Sequence, residues 1–446
     1  FGTGPAAITR TGSSTNTIAL GAVNNLGGSL NLGADNIATT TTALTNGLLP
    51  AYITVNGGLA TKDGSNNILA YTGYTNVDRL GGAIIDSSGA NISIIEAGTS
   101  GNVTLPNSGI TNIGTLLNAG TVAPTLVDIG SGNTLRLNNL GTISAGTNGL
   151  TITNGTLTAG GIADTAGTVD IFNSSAPATA VSSVIADNGT GVVGLAKSGI
   201  GVLTLSAANT YTGTTTVNGG TLALTGGSSI ADTGAVSLAN STGATLRLDS
   251  SETIGSLASG AASTVNLQAN TLTIAGTATT TASGVISGTG TLVKQGSGTQ
   301  ILAGVNTYSG GTTLTEGALT ATVSATGDKW RIQGVTTSAP VIVDSGSQLY
   351  PVITPSTLSG GITISGTGNS EARGAIRLAT TLGGNITLAG DTARIDRLSF
   401  KGGEGLLTGY YEPMLEASRQ PSANHAVPLY RPPASLAARK PWFTRQ

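Results

Sequence analysis

The chain holds no cysteine, one histidine and one methionine in 446 residues. Without cysteine there are no disulfides and no thiolate metal sites. The single histidine, His425, lies far towards the C-terminus. The first 390 residues therefore lack the general base of a serine–histidine triad and the imidazoles of a zinc centre. Aromatic residues make up 3% and charged residues 9% of the chain. A compact globular core draws on more of both. The formal net charge of −2 gives no electrostatic footprint for nucleic acid. No apolar run reaches about 18 residues, so no helical membrane span is expected. The chain begins at Phe1 with no basic-then-apolar leader, and any signal peptide is expected outside it.

What remains is glycine, 68 residues of it, and 38% hydrophobic residues placed at a spacing of two. Examples are Ile92/Ile94, Leu135/Leu137, Leu150/Ile152, Val236/Leu238, Leu272/Ile274 and Ile386/Leu388. Regular alternation of this kind is strand chemistry and argues against disorder. Gly-Gly, Asn-Gly and Asp-Thr-Gly clusters between the pairs supply tight turns.

One unit is present twice. Lys197 to Leu224 recurs as Lys294 to Thr320, with the lysines, the Asn209-Thr210-Tyr211 and Asn306-Thr307-Tyr308 turns and the following Thr-Thr pairs all 97 residues apart (294 − 197). Each copy reads strand, turn, strand, turn, strand. Leu203, Leu205 and Leu222 form the apolar set of the first copy; Gly219-Gly220 turns the chain there, and Gly310-Gly311 follows Tyr308 in the second. A strand set this short cannot bury its apolar face alone and needs neighbours stacked on it.

The unit resembles the autotransporter-associated β-strand repeat of bacterial type V secretion passenger domains. The resemblance rests on Gly199, Gly201, Leu203, Leu205, Asn209, Thr210, Tyr211, Gly213, Thr215, Thr216, Val217, Gly219, Gly220, Thr221 and Leu222. The second copy departs at Glu316, which replaces the glycine, and at Ala318. It implies a right-handed parallel β-helix on the cell surface that serves adhesion. A sandwich or barrel could also absorb many short strands. The internal repeat, the length of the region and the absence of helical crossovers favour the solenoid. Residues 1–390 are thus expected to be an all-β passenger of about 18 coils at about 20 residues each, about 90 Å long. Residues 39–80 are expected to be coils with a larger side loop, their Tyr52, Tyr71 and Tyr74 stacked along one coil face. Residues 326–350, with Lys329, Trp330 and Arg331, form a second candidate loop.

Near residue 391 the composition breaks. Residues 391–446 carry 8 of the 19 basic residues, 6 of the 14 prolines and the only histidine. Proline at this density does not suit interior strands, so a short, irregular, non-solenoid tail is expected. Its string Gly405-Leu406-Leu407-Thr408-Gly409-Tyr410-Tyr411-Glu412-Pro413, with Pro428-Leu429-Tyr430 and Lys440-Pro441-Trp442-Phe443, resembles the opening of the membrane-bound lytic murein transglycosylase A family. That family cleaves peptidoglycan glycan strands with one carboxylic acid near the end of its domain. By resemblance Tyr410, Tyr411 and Glu412 would line a sugar groove, while the segment bearing the acid does not follow.

Elsewhere charge is thin. Asp78/Arg79/Asp86 do not form a convincing site, and Arg247/Asp249/Glu252 read as a solvated coil edge. Lys197 and Lys294 read as charges that blunt exposed strand edges. Gly288-Thr289-Gly290 is a turn, since no helix follows it. No catalytic residue, metal or cofactor is assigned. The expected function is a structural, adhesive, non-enzymatic rod. It is secreted or held at the outer membrane of a Gram-negative cell through a translocator barrel outside this chain. Its partner would be a host or neighbouring cell surface, glycans included. The alternatives are a truncated lytic transglycosylase, inactive for want of its acid, and a carbohydrate-active β-helix.

Overall fold

A computed structural model describes residues 5–321 except 12–14, 24–28, 45–46, 51, 57, 97–101, 107, 121–123, 140, 147, 174–176 and 305. Beyond 321 it describes the backbone of Val341–Val343, Gln348–Pro351, Ile362–Ile364, Ile376–Thr381, Ile386–Leu388, Ile395–Ser399 and Leu407–Gly409. Among the described residues there are strands and turns and no α-helix.

The chain winds as a parallel β-solenoid. A coil in its middle runs Thr125–Asp128, Thr134–Leu137, Thr142–Ser144, and the next runs Leu150–Thr153, Thr156–Ala159, Gly167–Phe172. Each strand pairs in parallel with its counterpart one coil on, so that Thr134 meets Thr156 and Ile143 meets Ile171. Three faces result: a long sheet of 15 strands, a second of 9, and a third divided into sheets of 4 and 8. Residues stacked on adjacent coils lie 20 residues apart at Ile286 and Asn306 and 28 apart at Thr158 and Ala186. Many coils are thus longer, and fewer, than the expected 20-residue period gives. Fifteen strands at 4.8 Å make a stack of about 67 Å.

The alternation of the sequence sets the packing. Leu150 and Ile152 are buried while Thr151 and Thr153 face outward. Register then files the inward residues on one another: Leu203, Leu222, Leu246, Val265 and Ile286 stack through five coils, all fully buried. Each such side chain contributes about 1.5–3 kcal/mol. Because every file needs the coil above and below, stability belongs to the stack and not to any one coil.

The N-terminal stretch breaks the pattern. Pro5–Ile8, Ser29–Leu32 and Ile53–Val55 pair in parallel, but Gly58–Lys62 and Ile68–Ala70 follow as antiparallel hairpins. Residues 39–80 are therefore not uniform coils: Ile53–Val55 and Thr75–Asp78 hold parallel positions, and the hairpins form the excursion between them. Asn56 and Asn66 reverse the chain at positive φ, 49° and 65°, which short polar side chains tolerate. Nor do the three tyrosines stack along a coil face. Tyr71 and Tyr74 meet edge to face at 4.8 Å and pack with Leu48, Leu59 and Phe172. Tyr71 also accepts a hydrogen bond from Asn91 Nδ2 at 2.8 Å. The hairpin module thus lies over the outer face of the long sheet. It buries the outward residues Ser93, Leu117, Ser144 and Phe172, while Thr216, Ser237 and Ala258 further along stay partly exposed.

Parallel pairing also runs past residue 390. Ile395–Ser399 pairs with Ile376–Thr381, and Leu407–Gly409 pairs with Ile386–Leu388. The remainder of the tail, with Tyr410, Tyr411 and Glu412, lies outside the described residues, as does the candidate loop at 326–340.

Candidate functional site

The chemistry-bearing residues gather at two places, the corner of the repeat and the seam beneath the N-terminal hairpins.

At the corner, Lys197 closes the alternation Val193, Leu195, Lys197 on the inward face, where it is fully buried. Its Nζ donates to the carbonyl oxygens of Ser198 (2.8 Å), Gly199 (2.9 Å) and Gly219 (3.1 Å). Three donors meet three acceptors, so the ammonium is saturated without a counter-ion. Burial pushes it down to about 7, opposed by the Asp170 carboxylate. Lys294 repeats the arrangement, with Nζ on Gln295 O (2.8 Å) and Gly296 O (2.6 Å). Burial lowers it too, and the Glu316 carboxylate raises it. Both lysines thus contradict the expectation of exposed edge charges. The carbonyls converge because Gly199 and Gly220 turn at positive φ, 77° and 64°. At Gly220 a Cβ would come within 2.3 Å of Gly201 O, so only glycine fits.

Next to this corner the repeat repairs a gap in the third face. The four-stranded sheet ends at Val184–Ile185 and the eight-stranded one begins at Glu252–Ile254. Side chains fill the interval. Asn209 Oδ1 accepts from Ile185 N at 2.7 Å, and Asn209 Nδ2 donates to Ser229 O at 2.7 Å. Glu252 then accepts from Ser229 N (3.2 Å) and Ile230 N (2.8 Å). Burial raises the Glu252 carboxyl and these two amides lower it. Glu252 is consequently buried and structural, while Arg247 and Asp249 form a half-exposed ion pair at 2.8 Å, as expected of a coil edge. Tyr211 lies fully buried beneath the turn with its hydroxyl 2.6 Å from Thr215 Oγ1. Asn306 takes the Ile286 amide at 2.9 Å, and Tyr308 meets Thr312 in the same way. Burial pushes the Tyr308 phenol up to about 12. Leu203, Leu205 and Leu222 are all core residues, and Gly310 and Gly311 sit in the tight second turn.

The other charged groups are local braces. Arg79 pairs with Glu96 at 3.2 Å, Asp78 caps Leu80 N, and Asp86 accepts from Asn112 one coil on. Among the described residues no three His, Cys, Asp or Glu side chains gather as a metal site. No helix there is long and apolar enough to cross a membrane.

At the seam, the outward file Thr115, Thr142, Asp170, Ala196 of the long sheet faces Leu48, Leu49, Pro50 and Tyr52 across a cleft of about 260 Å³. Desolvation raises the Asp170 carboxyl to about 6, against Lys197 and a hydrogen bond from Ser198. Tyr52 donates to Val23 O at 2.9 Å, and its phenol is raised by burial and by Asp170.

The repeated sequence has a counterpart among known families. Residues 195–224 and 292–321 match the passenger-associated-transport-repeat. The chain carries two copies of an autotransporter passenger repeat. It is also 34% identical over 239 residues to the Adhesin BmaC autotransporter of Brucella suis biovar 1 (strain 1330). The match spans 50% of this chain and 6% of that much longer protein. Residues 406–445 match the MltA specific insert domain, in line with the resemblance of the tail. No solved structure matches the chain.

Both corner lysines escaped the sequence reading, although the signal was present: Leu195/Lys197 and Leu292/Lys294 keep the core spacing. Glu252, two residues before Ile254, carried the same mark.

Proposed function

We propose that this chain is part of the passenger of an autotransporter, a non-catalytic rod displayed at the surface of a Gram-negative cell and used for attachment. The two matched repeats, built into one continuous solenoid, carry this reading. The likeness to an autotransporter adhesin supports it. The geometry suits the role. The buried chemistry of the corner is saturated by backbone: three carbonyls on Lys197 and two amides on Glu252. Such groups hold coils together and leave no nucleophile poised for a substrate. The outward files offer threonine, serine and asparagine along the rod, a surface suited to many weak contacts. The test is display of the chain through a heterologous translocator barrel on a non-adherent Gram-negative cell. Displaying cells should be retained on cultured host cells or on neighbouring bacteria above the barrel-only control. Equal retention would overturn the adhesive role.

A second reading rests on the match at residues 406–445. It makes the tail the beginning of a peptidoglycan-cleaving domain, with Tyr410, Tyr411 and Glu412 beside the glycan. Incubation of the chain with murein sacculi should release no anhydro-muropeptides. Their release would replace the first reading with this one.

A further inference from the structure

We propose that the cleft between the N-terminal hairpins and the long sheet binds one pyranose ring, with the Asp170 carboxylate accepting ring hydroxyls. This rests on the cleft itself and is independent of the adhesive role.

The deciding observation is an acceptor without a donor. Asp170 Oδ1 is buried and has no hydrogen-bond partner, although Asp170 lines the cleft. Ser198 donates to the same carboxylate. The neighbouring cation does not serve the free oxygen. Lys197 points to the interior of the coil, and its three hydrogens go to Ser198, Gly199 and Gly219 carbonyls. Tyr52 gives its proton to Val23 O. A buried carboxylate oxygen left in this state is unfavourable, and a ligand hydroxyl removes the deficit.

The walls select the ligand class. On the hairpin side the cleft is lined by Leu48, Leu49, Pro50 and the Tyr52 ring. On the sheet side it is lined by Thr115, Thr142, Thr168, Asp170 and Ala196. One wall is apolar and the other bears hydroxyls and a carboxylate. A pyranose has the same division, with a C–H face and a rim of hydroxyls that donate to carboxylates. The volume of about 260 Å³ lies just below the range of drug-sized pockets, which fits one ring and excludes a long oligosaccharide. Among the described residues one carboxylate lines the cleft, so a multiply charged cation finds no second partner among them.

The test is calorimetric titration of the 446-residue chain with the methyl glycosides of glucose, mannose, galactose and N-acetylglucosamine. Propylammonium chloride serves as the competing class. At least one glycoside should give a saturable isotherm. Asp170→Asn should weaken it tenfold or more, and Ala196→Leu, which fills the cleft, should abolish it. Thr216→Val, one coil beyond Ala196 on the same file, should leave it unchanged. Unaltered far-UV circular dichroism shows that the variants fold, and the wild-type titration decides the matter without them. Absence of saturation by any glycoside overturns the proposal. So does saturation by propylammonium alone, or undiminished binding by Asp170→Asn.

Discussion

Replacing Lys197 by methionine removes the corner cation while keeping an unbranched side chain of similar length. Three carbonyl oxygens, those of Ser198, Gly199 and Gly219, then lose the donor they share. A buried acceptor left unsatisfied costs about 1–3 kcal/mol. Relief from burying a charge offsets part of this, because Lys197 is itself depressed by desolvation. A net loss of about 2–3 kcal/mol at neutral pH follows. A solenoid does not unfold as one unit, so the loss should be read locally. Hydrogen exchange of residues 195–224 should accelerate about thirtyfold or more, while residues 125–160, several coils away, should change little. The wild type carries a second signature. Burial pushes its folded-state ammonium down to about 7 from the 10.5 of an unperturbed lysine. Between those values the unfolded chain holds a proton that the folded chain does not, so stability rises with pH across that window. Below about 7 both states are protonated and this contribution is flat. Lys197→Met should lack the rise. Equal protection of both proteins at neutral pH, with the same pH profile, would refute the idea that the ammonium organises the corner.

Asn209→Ala should free the Ile185 amide and the Ser229 carbonyl and cost about 2–4 kcal/mol, seen as lost exchange protection of the Ile185 amide. Glu252→Gln should weaken the adjoining splice at Ser229 and Ile230 by about 1–3 kcal/mol, since an amide cannot accept with both its arms; unchanged protection there would contradict this. Gly220→Ala combines a positive φ of 64° with a 2.3 Å approach to Gly201 O, and should destabilise by more than about 1 kcal/mol in local exchange. Tyr211→Phe keeps the buried ring and loses only the Thr215 partner, so a cost of about 1 kcal/mol is expected.

The sequence made the solenoid readable because alternation survives in nearly every coil: Leu150 and Ile152, Leu246 and Leu248, Leu272 and Ile274 all lie inward. It misled where charge was weighed above position. Lys197, Lys294 and Glu252 stand at inward positions, and their charge suggested exposure. The backbone resolves the conflict, since turns expose carbonyls and amides to the interior and a long side chain can satisfy several at once. The cover over the long sheet was marked only by adjacent apolar pairs. Leu116-Leu117 and Ile171-Phe172 bury both neighbours, which a strand wetted on one side has no reason to do. Chain-distant docking of this kind leaves no periodic trace, so neither the seat of the hairpin module on the long sheet nor the cleft at Asp170 could be foreseen. The hairpin itself had a local sign in Asn56-Gly57 between Ile53/Val55 and Leu59.

The solenoid depends on in-register parallel stacking of successive coils, and the absence of native cysteine allows a clean test. Thr204 and Ala223 are outward register partners on adjacent coils, and Ala223 in turn faces Arg247. Neighbouring strands lie about 4.8 Å apart, within reach of a disulfide, and next-but-one strands do not. Oxidation of the Thr204→Cys/Ala223→Cys double variant should give near-complete intramolecular cross-linking, and Thr204→Cys/Arg247→Cys should give none. Failure of the first pair, or ready closure of the second, would contradict the solenoid.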